Sequence, residues 1–123
     1  MKHIFLVIII LMQSACLGDI WLDFWERNST VAINPDLYPK CVYESIESFD
    51  PERASQYKPF GKDIHGPDKI GSLYIPIYIG LTKQNNLEVS VAARVTPRKE
   101  QEDAVENFIS QAIKELSFKC NGH

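Results

Sequence analysis

The chain has 123 residues, room for one domain, and its 45% apolar, 24% charged and 11% aromatic residues are ordinary for a globular protein. This composition excludes the disordered, collagen-like and coiled-coil classes. The formal net charge is −3, and lysines and arginines are scattered along the chain rather than gathered in a basic stripe. Nucleic acid is therefore not expected as a partner.

The N-terminus has the three parts of a secretory signal. Lys2 supplies a fixed positive charge, residues 4–12 are uninterrupted apolar residues, and small residues precede Cys16. A helix over the apolar run would span roughly 14 Å, about half the hydrocarbon thickness of a bilayer, so it is too short to cross one. We therefore expect residues 1–15 to be a removable signal and the mature protein to work outside the reducing cytoplasm. A buried N-terminal core helix is the alternative.

The end of this signal resembles the lipobox of bacterial lipoproteins, in which small residues precede a cysteine that becomes the lipidated first residue. Ser14 and Ala15 precede Cys16 as in that pattern, whereas Gln13 departs from its usual leucine. The resemblance implies a diacylglyceryl group and an N-terminal acyl chain on Cys16, and several chains together anchor a protein stably in a membrane. Leu17, where aspartate would favour the inner membrane, implies the outer membrane facing the periplasm. Ordinary signal cleavage beyond Cys16, which would discard that cysteine, is the competing interpretation.

The number of cysteines agrees with export. Either processing route removes Cys16 from disulfide pairing, which leaves Cys41 and Cys120. A Cys41–Cys120 disulfide is then the single possible connectivity in an oxidising compartment. It would close a loop of about 80 residues and stabilise the fold by roughly 4.5 kcal/mol at most on the chain-entropy model. Two free thiols, buried as small apolar groups, are the alternative.

Residues 16–28 are predicted to link the anchor to the domain, which would then cover residues 29–123. Trp21, Phe24 and Trp25 would share one face of a helical turn. Tryptophan favours the interface between bilayer and water, so these three side chains could contact the membrane. The preferred interpretation is that they cap the core or cover an open face of the sheet.

The first part of the domain carries weaker patterns. Residues 30–33 could form a short strand. Residues 41–49 are ambiguous, because the spacing of Val42 and Ile46 fits a helix while the β-branched and aromatic content favours a strand, which we prefer. Residues 57–72 are rich in glycine and proline and are predicted to be a long surface loop.

The second part of the domain carries the strongest pattern for strands. Residues 73–79 and 87–95 each alternate apolar side chains with others, and the polar residues between them predict a turn. The two runs therefore predict a β-hairpin with one apolar face. Pro76 cannot donate to a ladder, which places the first strand at an edge or beside a bulge.

A long C-terminal helix follows the hairpin. Thr96 is its predicted N-cap, with Pro97 at the first helical position. Its apolar residues form one stripe with the spacing of a core-facing helix: Val105, Phe108, Ile109, Ala112, Ile113 and Leu116. A lone hairpin is marginal in water, so the stripe is expected to cover its apolar face. The predicted fold is α+β, a small two-layer sandwich of an antiparallel sheet with one long C-terminal helix packed on it.

Residues able to carry chemistry are few. His65 lies in the Gly/Pro-rich region with Asp63 and Asp68 nearby and could act as a general base, although an exposed loop histidine is the preferred interpretation. Tyr74 and Tyr78 alternate with isoleucines and, with His65, could form a binding patch on the outward strand face. The alternative is that another segment of the chain covers the two tyrosines. The sequence has no zinc-ligand spacing, phosphate-binding loop or nucleophile elbow, so we expect no metal and no cofactor.

Taken together, these features predict a non-catalytic envelope lipoprotein whose disulfide-stapled domain binds a protein or an envelope component. An inhibitor, an immunity protein against a toxin and an assembly accessory would all fit. The alternative is a small secreted hydrolase that uses His65 with Asp63 or Asp68. A third hypothesis is a structural tether, in which the anchor and the aromatic segment matter more than the domain.

Overall fold

The structure, a computed structural model, describes residues 24–122 of the chain. Its strands are β1 (Trp25–Ala32), β2 (Lys58–Phe60), β3 (Asp63–His65), β4 (Lys69–Ile70), β5 (Leu73–Tyr74), β6 (Ile77–Leu81) and β7 (Asn86–Ala93). The α-helices are α1 (Lys40–Phe49) and α2 (Lys99–Lys119), and short 3-10 helices cover Pro35–Leu37 and Pro51–Gln56.

The main sheet has five strands in the order β1-β7-β6-β3-β2, with every neighbouring pair antiparallel. Strands β4 and β5 form a separate two-stranded sheet. The predicted hairpin is present as β6 and β7, with Ile79 opposite Val89. Helix α2 packs against β1 and β7, so the predicted α+β fold with a long C-terminal helix on an antiparallel sheet is confirmed.

The core lies between the sheet and the two helices. Helix α2 buries part of its predicted stripe, namely Val105, Ile109, Ala112 and Leu116. The sheet contributes alternate residues of its central strands, namely Ile64, Ile77, Ile79, Leu87, Val89, Val91 and Ala93. Helix α1 packs beside α2 and adds Val42 and Ile46. One layer of helices therefore covers one face of the sheet.

The predicted disulfide joins the two helices of this layer. Cys41 lies in the first turn of α1, Cys120 directly follows α2, and their sulfur atoms are 2.06 Å apart. Both side chains are buried. The carbonyl of Cys120 also accepts a hydrogen bond from the backbone N–H of Asn34 at 2.9 Å. The end of the chain is thus held both to the start of α1 and to the segment that follows β1.

Residues 41–49 are helical, so the preferred strand interpretation was wrong. Helix α1 places Val42, Ser45 and Ile46 on the face that packs against α2. The hydroxyl of Ser45 donates to the carbonyl of Cys41 at 2.8 Å, within the helix. Burial of this face against a second helix outweighs the modest β propensity of the segment.

Residues 57–72 are not one long loop, because they contain β2, β3 and β4. Ile64 is fully buried and pairs with Ile79 of β6. Gly61, which has a φ of 61°, lies in the turn between β2 and β3. Strands of two or three residues are too short to show periodicity, and long-range pairing creates them here.

Two further predictions about boundaries need correction. Strand β1 begins at Trp25, so the domain starts inside the predicted linker, and Trp25 is extended rather than helical. Helix α2 begins at Lys99 with Arg98 as its N-cap, not at Thr96. The backbone N–H of Arg98 donates to the side chain of Gln101 at 3.0 Å. This capping-box hydrogen bond gives the N–H group at the start of the helix a partner.

The predicted strand over residues 73–79 is interrupted after Tyr74. Ile75 and Pro76 belong to neither β5 nor β6, and the backbone N–H of Ile75 donates to the carbonyl of Asp68 at 2.7 Å. Because Pro76 has no N–H to donate, the break falls where the ladder would otherwise need one. Consequently Tyr74 and Tyr78 lie in different sheets.

A polar network holds the connection between α1 and β2. The hydroxyl of Tyr57 donates to Asp50 at 2.7 Å, and Arg53 pairs with the same carboxylate at 2.9 Å. Arg53 also donates to the carbonyl of Lys69 at 2.6 Å, which ties this connection to β4. Burial of the ring, followed by the hydrogen bond to Asp50, raises the pKa of Tyr57 far above its ordinary value.

Candidate functional site

The sheet face turned away from the helices carries polar and aromatic side chains, and we call it the open face. It is built by the alternate residues of the five strands that do not point into the core. These residues are Glu26, Asn28 and Thr30 on β1, Glu88, Ser90 and Ala92 on β7, Tyr78 and Gly80 on β6, Asp63 and His65 on β3, and Lys58 and Phe60 on β2. All of them are exposed or half-buried.

The strand register sorts the open face into rows. One row crosses all five strands as Lys58, His65, Tyr78, Ser90 and Asn28, each directly opposite the next. In the neighbouring row, Phe60 is opposite Asp63 on one side, and Gly80 is opposite Glu88, which is opposite Thr30, on the other. Side chains directly opposite each other across a sheet lie about 5 Å apart, so members of a row are in contact range.

Three rings form an aromatic cluster that extends from the central strand β6 to the edge strand β2: Phe60, His65 and Tyr78. The rings of His65 and Tyr78 are stacked, with centroids 4.6 Å apart and planes 12° apart. Phe60 meets both edge-on, with centroid distances of 6.1 Å to His65 and 6.4 Å to Tyr78. Phe60 is 63% exposed and Tyr78 is 36% exposed. The cluster is therefore a preassembled aromatic surface that faces outward.

His65 and Asp68 form one of the two pairs that the sequence suggested for acid–base chemistry, the other being His65 with Asp63. Nε2 of His65 lies 3.2 Å from Oδ1 of Asp68, and both side chains are partly exposed. The rings of Phe60 and Tyr78 also lie against the His65 ring. Asp68 therefore orients the imidazole from one edge, while the two aromatic rings fix its plane.

Asp63 lies away from His65 and over Gly80. Gly80 has no side chain, and a Cβ there would collide with Oδ1 of Asp63. The carboxylate also raises the pKa of Tyr38, although burial of that phenol contributes more. The structure thus brings Asp68 to His65 and directs Asp63 to a different part of the open face.

Tyr74 is 64% exposed but lies on β5, opposite Lys69, outside the aromatic cluster. The residue that joins Tyr78 in the cluster is instead Phe60, which was not among the binding residues predicted from the sequence. The available sequence signal for this hairpin was Gly61 between two short runs, residues 58–60 and 63–65. Glycine readily adopts the positive φ that a tight hairpin turn requires.

The aromatic residues considered for membrane contact lie at or before the start of β1. Trp25 is half-buried against the core, and the guanidinium of Arg27 lies 4.4 Å from its ring centroid. Phe24 precedes the strand and is 43% exposed. Trp21, Cys16 and the predicted signal over residues 1–15 lie outside the described residues.

The chain matches no known family model and no curated protein sequence. Its function is therefore inferred from the residues of the open face and from the predicted N-terminal signal.

Within residues 24–122, neither helix combines the length and the hydropathy that crossing a membrane requires. In the same part of the chain, no three histidine, cysteine or acidic side chains are grouped closely enough to hold a metal ion.

A groove of about 680 Å³ opens at the end of the sheet beside the β2–β3 turn. Tyr38, Lys62, Thr82 and Lys83 are among the residues that line it. The hydroxyl of Tyr38 donates to the carbonyl of Lys62 at 2.6 Å. This bond ties the segment before α1 to the turn that positions Phe60.

Proposed function

We propose that the chain is an exported, lipid-anchored envelope protein whose domain binds a partner through the open face without catalysing a reaction. The exposed aromatic cluster of Phe60, His65 and Tyr78 carries this proposal. A group of aromatic side chains that stays exposed on a folded surface is typical of binding surfaces. Preassembly lowers the entropy cost of association, because the rings already hold one another in place.

The position of the cluster supports a role in binding rather than in folding. The core is complete on the opposite side of the sheet, where Ile64 and Ile79 are fully buried. Phe60 adds little to that core, since 63% of its surface remains exposed. A side chain that stabilises the fold so weakly, yet exposes so much apolar surface, is best explained by a partner that covers it.

Three features support export and anchoring. The predicted signal and the lipobox-like Ser14, Ala15 and Cys16 direct the chain to a membrane surface. The Cys41–Cys120 disulfide suits an oxidising compartment such as the periplasm. We propose the outer membrane, facing the periplasm, as its location. Phe24 and the residues before it would then lie close to the bilayer.

Mass spectrometry of the mature N-terminus tests the anchor. We expect a mature chain that begins at acylated Cys16, and Cys16→Ser should move the protein from the membrane fraction to the soluble fraction. Lys2→Gln, which alters the signal but not the cysteine, is the matched control for export itself. A mature chain that retains Met1, or that begins beyond Cys16, would contradict lipid anchoring.

Site-specific photo-crosslinking in intact cell envelopes tests the binding face. A photoreactive phenylalanine analogue at position 60 should give a discrete adduct with one envelope component. The same analogue at position 74 is the matched control, since Tyr74 is equally exposed but lies in the other sheet. No adduct from position 60, or the same adduct from both positions, would contradict binding through the open face.

The contact between His65 and Asp68 favours a second candidate, a small secreted hydrolase. In that case the imidazole would accept a proton from water or from a substrate hydroxyl, with Asp68 orienting the ring. Assays of the purified protein on envelope substrates, repeated with His65→Ala and Asp68→Asn, separate the two candidates. Activity that both variants abolish would favour the hydrolase, whereas activity unchanged in His65→Ala would exclude this mechanism.

A further inference from the structure

The orientation of the stacked pair defines a vacant position beside it. His65 and Tyr78 are directly opposite on adjacent strands, and their centroid separation of 4.6 Å is close to the strand spacing. Because the two rings stack between directly opposite residues of adjacent strands, their faces are directed across the strands. One face of Tyr78 is covered by His65, and the other is directed toward β7.

The residue opposite Tyr78 on β7 is Ser90, and the next residue along the row is Asn28 on β1. Two strand spacings, about 9.6 Å, therefore separate Tyr78 from Asn28. Between them is a single hydroxymethyl side chain, where a third ring would continue the stack. Stacked groups need about 3.5 Å between their planes, so the gap of two strand spacings is wide enough for one planar group above Ser90, against the face of Tyr78 turned away from His65.

The charge around this position selects the kind of planar group. Glu88 is next to Ser90 on the same side of β7, and Asp63 lies over Gly80, which is opposite Glu88. Among the described residues, the carboxylate of Glu88 has no hydrogen-bond or ion-pair partner. Lys58 lies at the far end of the row, on the other side of the His65 ring. The vacant position is thus bordered by acidic groups.

We propose that the open face receives an arginine side chain of a protein partner, with its guanidinium stacked on Tyr78 above Ser90 and paired with Glu88. A guanidinium is planar, permanently charged and able to donate to a carboxylate through a parallel pair of N–H groups. Stacking on an aromatic face and pairing with an acid are its two preferred interactions. This inference rests on the proposed function and names the chemistry of the partner.

NMR titration of the full-length, disulfide-intact protein in detergent tests the proposal with two small probes. L-argininamide should shift the resonances of Tyr78, Ser90 and Glu88 in a saturable manner. L-lysinamide, which carries the same charge but no planar head, should bind at least about threefold more weakly. The absence of shifts at Ser90 with L-argininamide would overturn the proposal.

Two substitutions probe the site and two control for it. Ser90→Leu fills the vacant position and should weaken the binding of L-argininamide at least tenfold, whereas Ser90→Ala should leave it within twofold. Glu88→Gln should weaken binding about three- to tenfold, and Glu44→Gln, on α1, should have no effect. Far-UV circular dichroism establishes that each variant is folded. Unchanged binding by Ser90→Leu and Glu88→Gln together would overturn the assignment.

A third probe separates this inference from the proposed function. If a soluble chito-oligosaccharide shifts Tyr78 and Ser90 while L-argininamide does not, the open face binds a glycan and the arginine proposal is wrong. In that case the crosslink from position 60 would still form, and binding through the open face would stand. If position 60 forms no crosslink either, both proposals fail.

Discussion

The ring of Tyr57 lies directly against the backbone of Gly66, and a Cβ atom at position 66 would lie 2.6 Å from Cε1 of that ring. Tyr57 is 4% exposed, so its ring has no open space into which to move. The backbone N–H of Gly66 donates to the carbonyl of Ile77 at 2.9 Å, just beyond the end of β3. This close approach fixes the chain immediately after His65.

We expect Gly66→Ala to destabilise the fold by about 1–3 kcal/mol, because a methyl group would be forced into a filled space. Gly80→Ala is the matched control, since the group it meets is the exposed carboxylate of Asp63, which can rotate away. Urea unfolding of both variants measures the difference. Equal losses of stability in the two variants, or a smaller loss for Gly66→Ala, would show that the Tyr57 ring moves aside without cost.

Tyr57→Phe should lower stability at neutral pH by about 1.5–3 kcal/mol, since its hydroxyl donates to a charged carboxylate. Because the folded state holds the pKa of Tyr57 above its ordinary value of 10.0, this stabilisation is complete below pH 10 and falls as the pH rises beyond it. Above pH 10, the difference in the free energy of unfolding between wild type and Tyr57→Phe should then narrow by about 1.4 kcal/mol per pH unit.

Urea unfolding at pH 8 and at two values above pH 10 measures this narrowing, and Tyr74→Phe controls for the loss of an exposed hydroxyl. Tyr38 and Tyr43, whose pKa values are also raised by burial, are present in both proteins and cancel in the comparison. A gap that stays constant or widens above pH 10 would contradict the prediction.

Removal of the disulfide should be the most costly of these changes. Cys41 and Cys120 are separated by 79 positions in sequence, so the chain-entropy model gives a loss of about 4.5 kcal/mol for the paired alanine variant. Thermal unfolding of the oxidised, the reduced and the Cys41→Ala/Cys120→Ala proteins measures it. Two free thiols in the untreated protein, or an unchanged melting temperature after reduction, would contradict the prediction.

Arg27→Ala is expected to lower the free energy of unfolding only slightly, by about 1 kcal/mol or less. Arg27 pairs with Glu106 at 2.8 Å and with Glu102 at 3.3 Å, but all three side chains are partly exposed. The loss should shrink further at 1 M salt, where charges are screened within a few ångströms. A loss of stability that is independent of salt would instead indicate that the contact between the Arg27 guanidinium and the Trp25 ring dominates.

Local sequence patterns predicted the elements whose signals repeat over many residues. The β6–β7 hairpin and helix α2 are long enough for alternation or helical spacing to be visible, and the disulfide followed from the number of cysteines. Helix α1 and the short strands β2, β3 and β4 were not predicted. Their form depends on contacts with distant segments, such as the pairing of Ile64 with Ile79.

The candidate site shows the same division. His65 and Tyr78 were noted in the sequence as isolated residues, with no indication that they touch. The register of β3 on β6 places them opposite each other and stacks their rings. The β2–β3 turn then brings Phe60 over both, although nothing in the pattern around this residue marked it as functional.

The sequence alone thus determined the cysteine pairing, the amphipathic helix and the hairpin, because each depends on neighbouring residues or on simple counting. The tertiary structure alone decided which side chains share the open face, which acid lies beside His65, and which ring stacks on Tyr78. Those relationships depend on strand register, and a shift of one residue would move every side chain to the opposite face of the sheet.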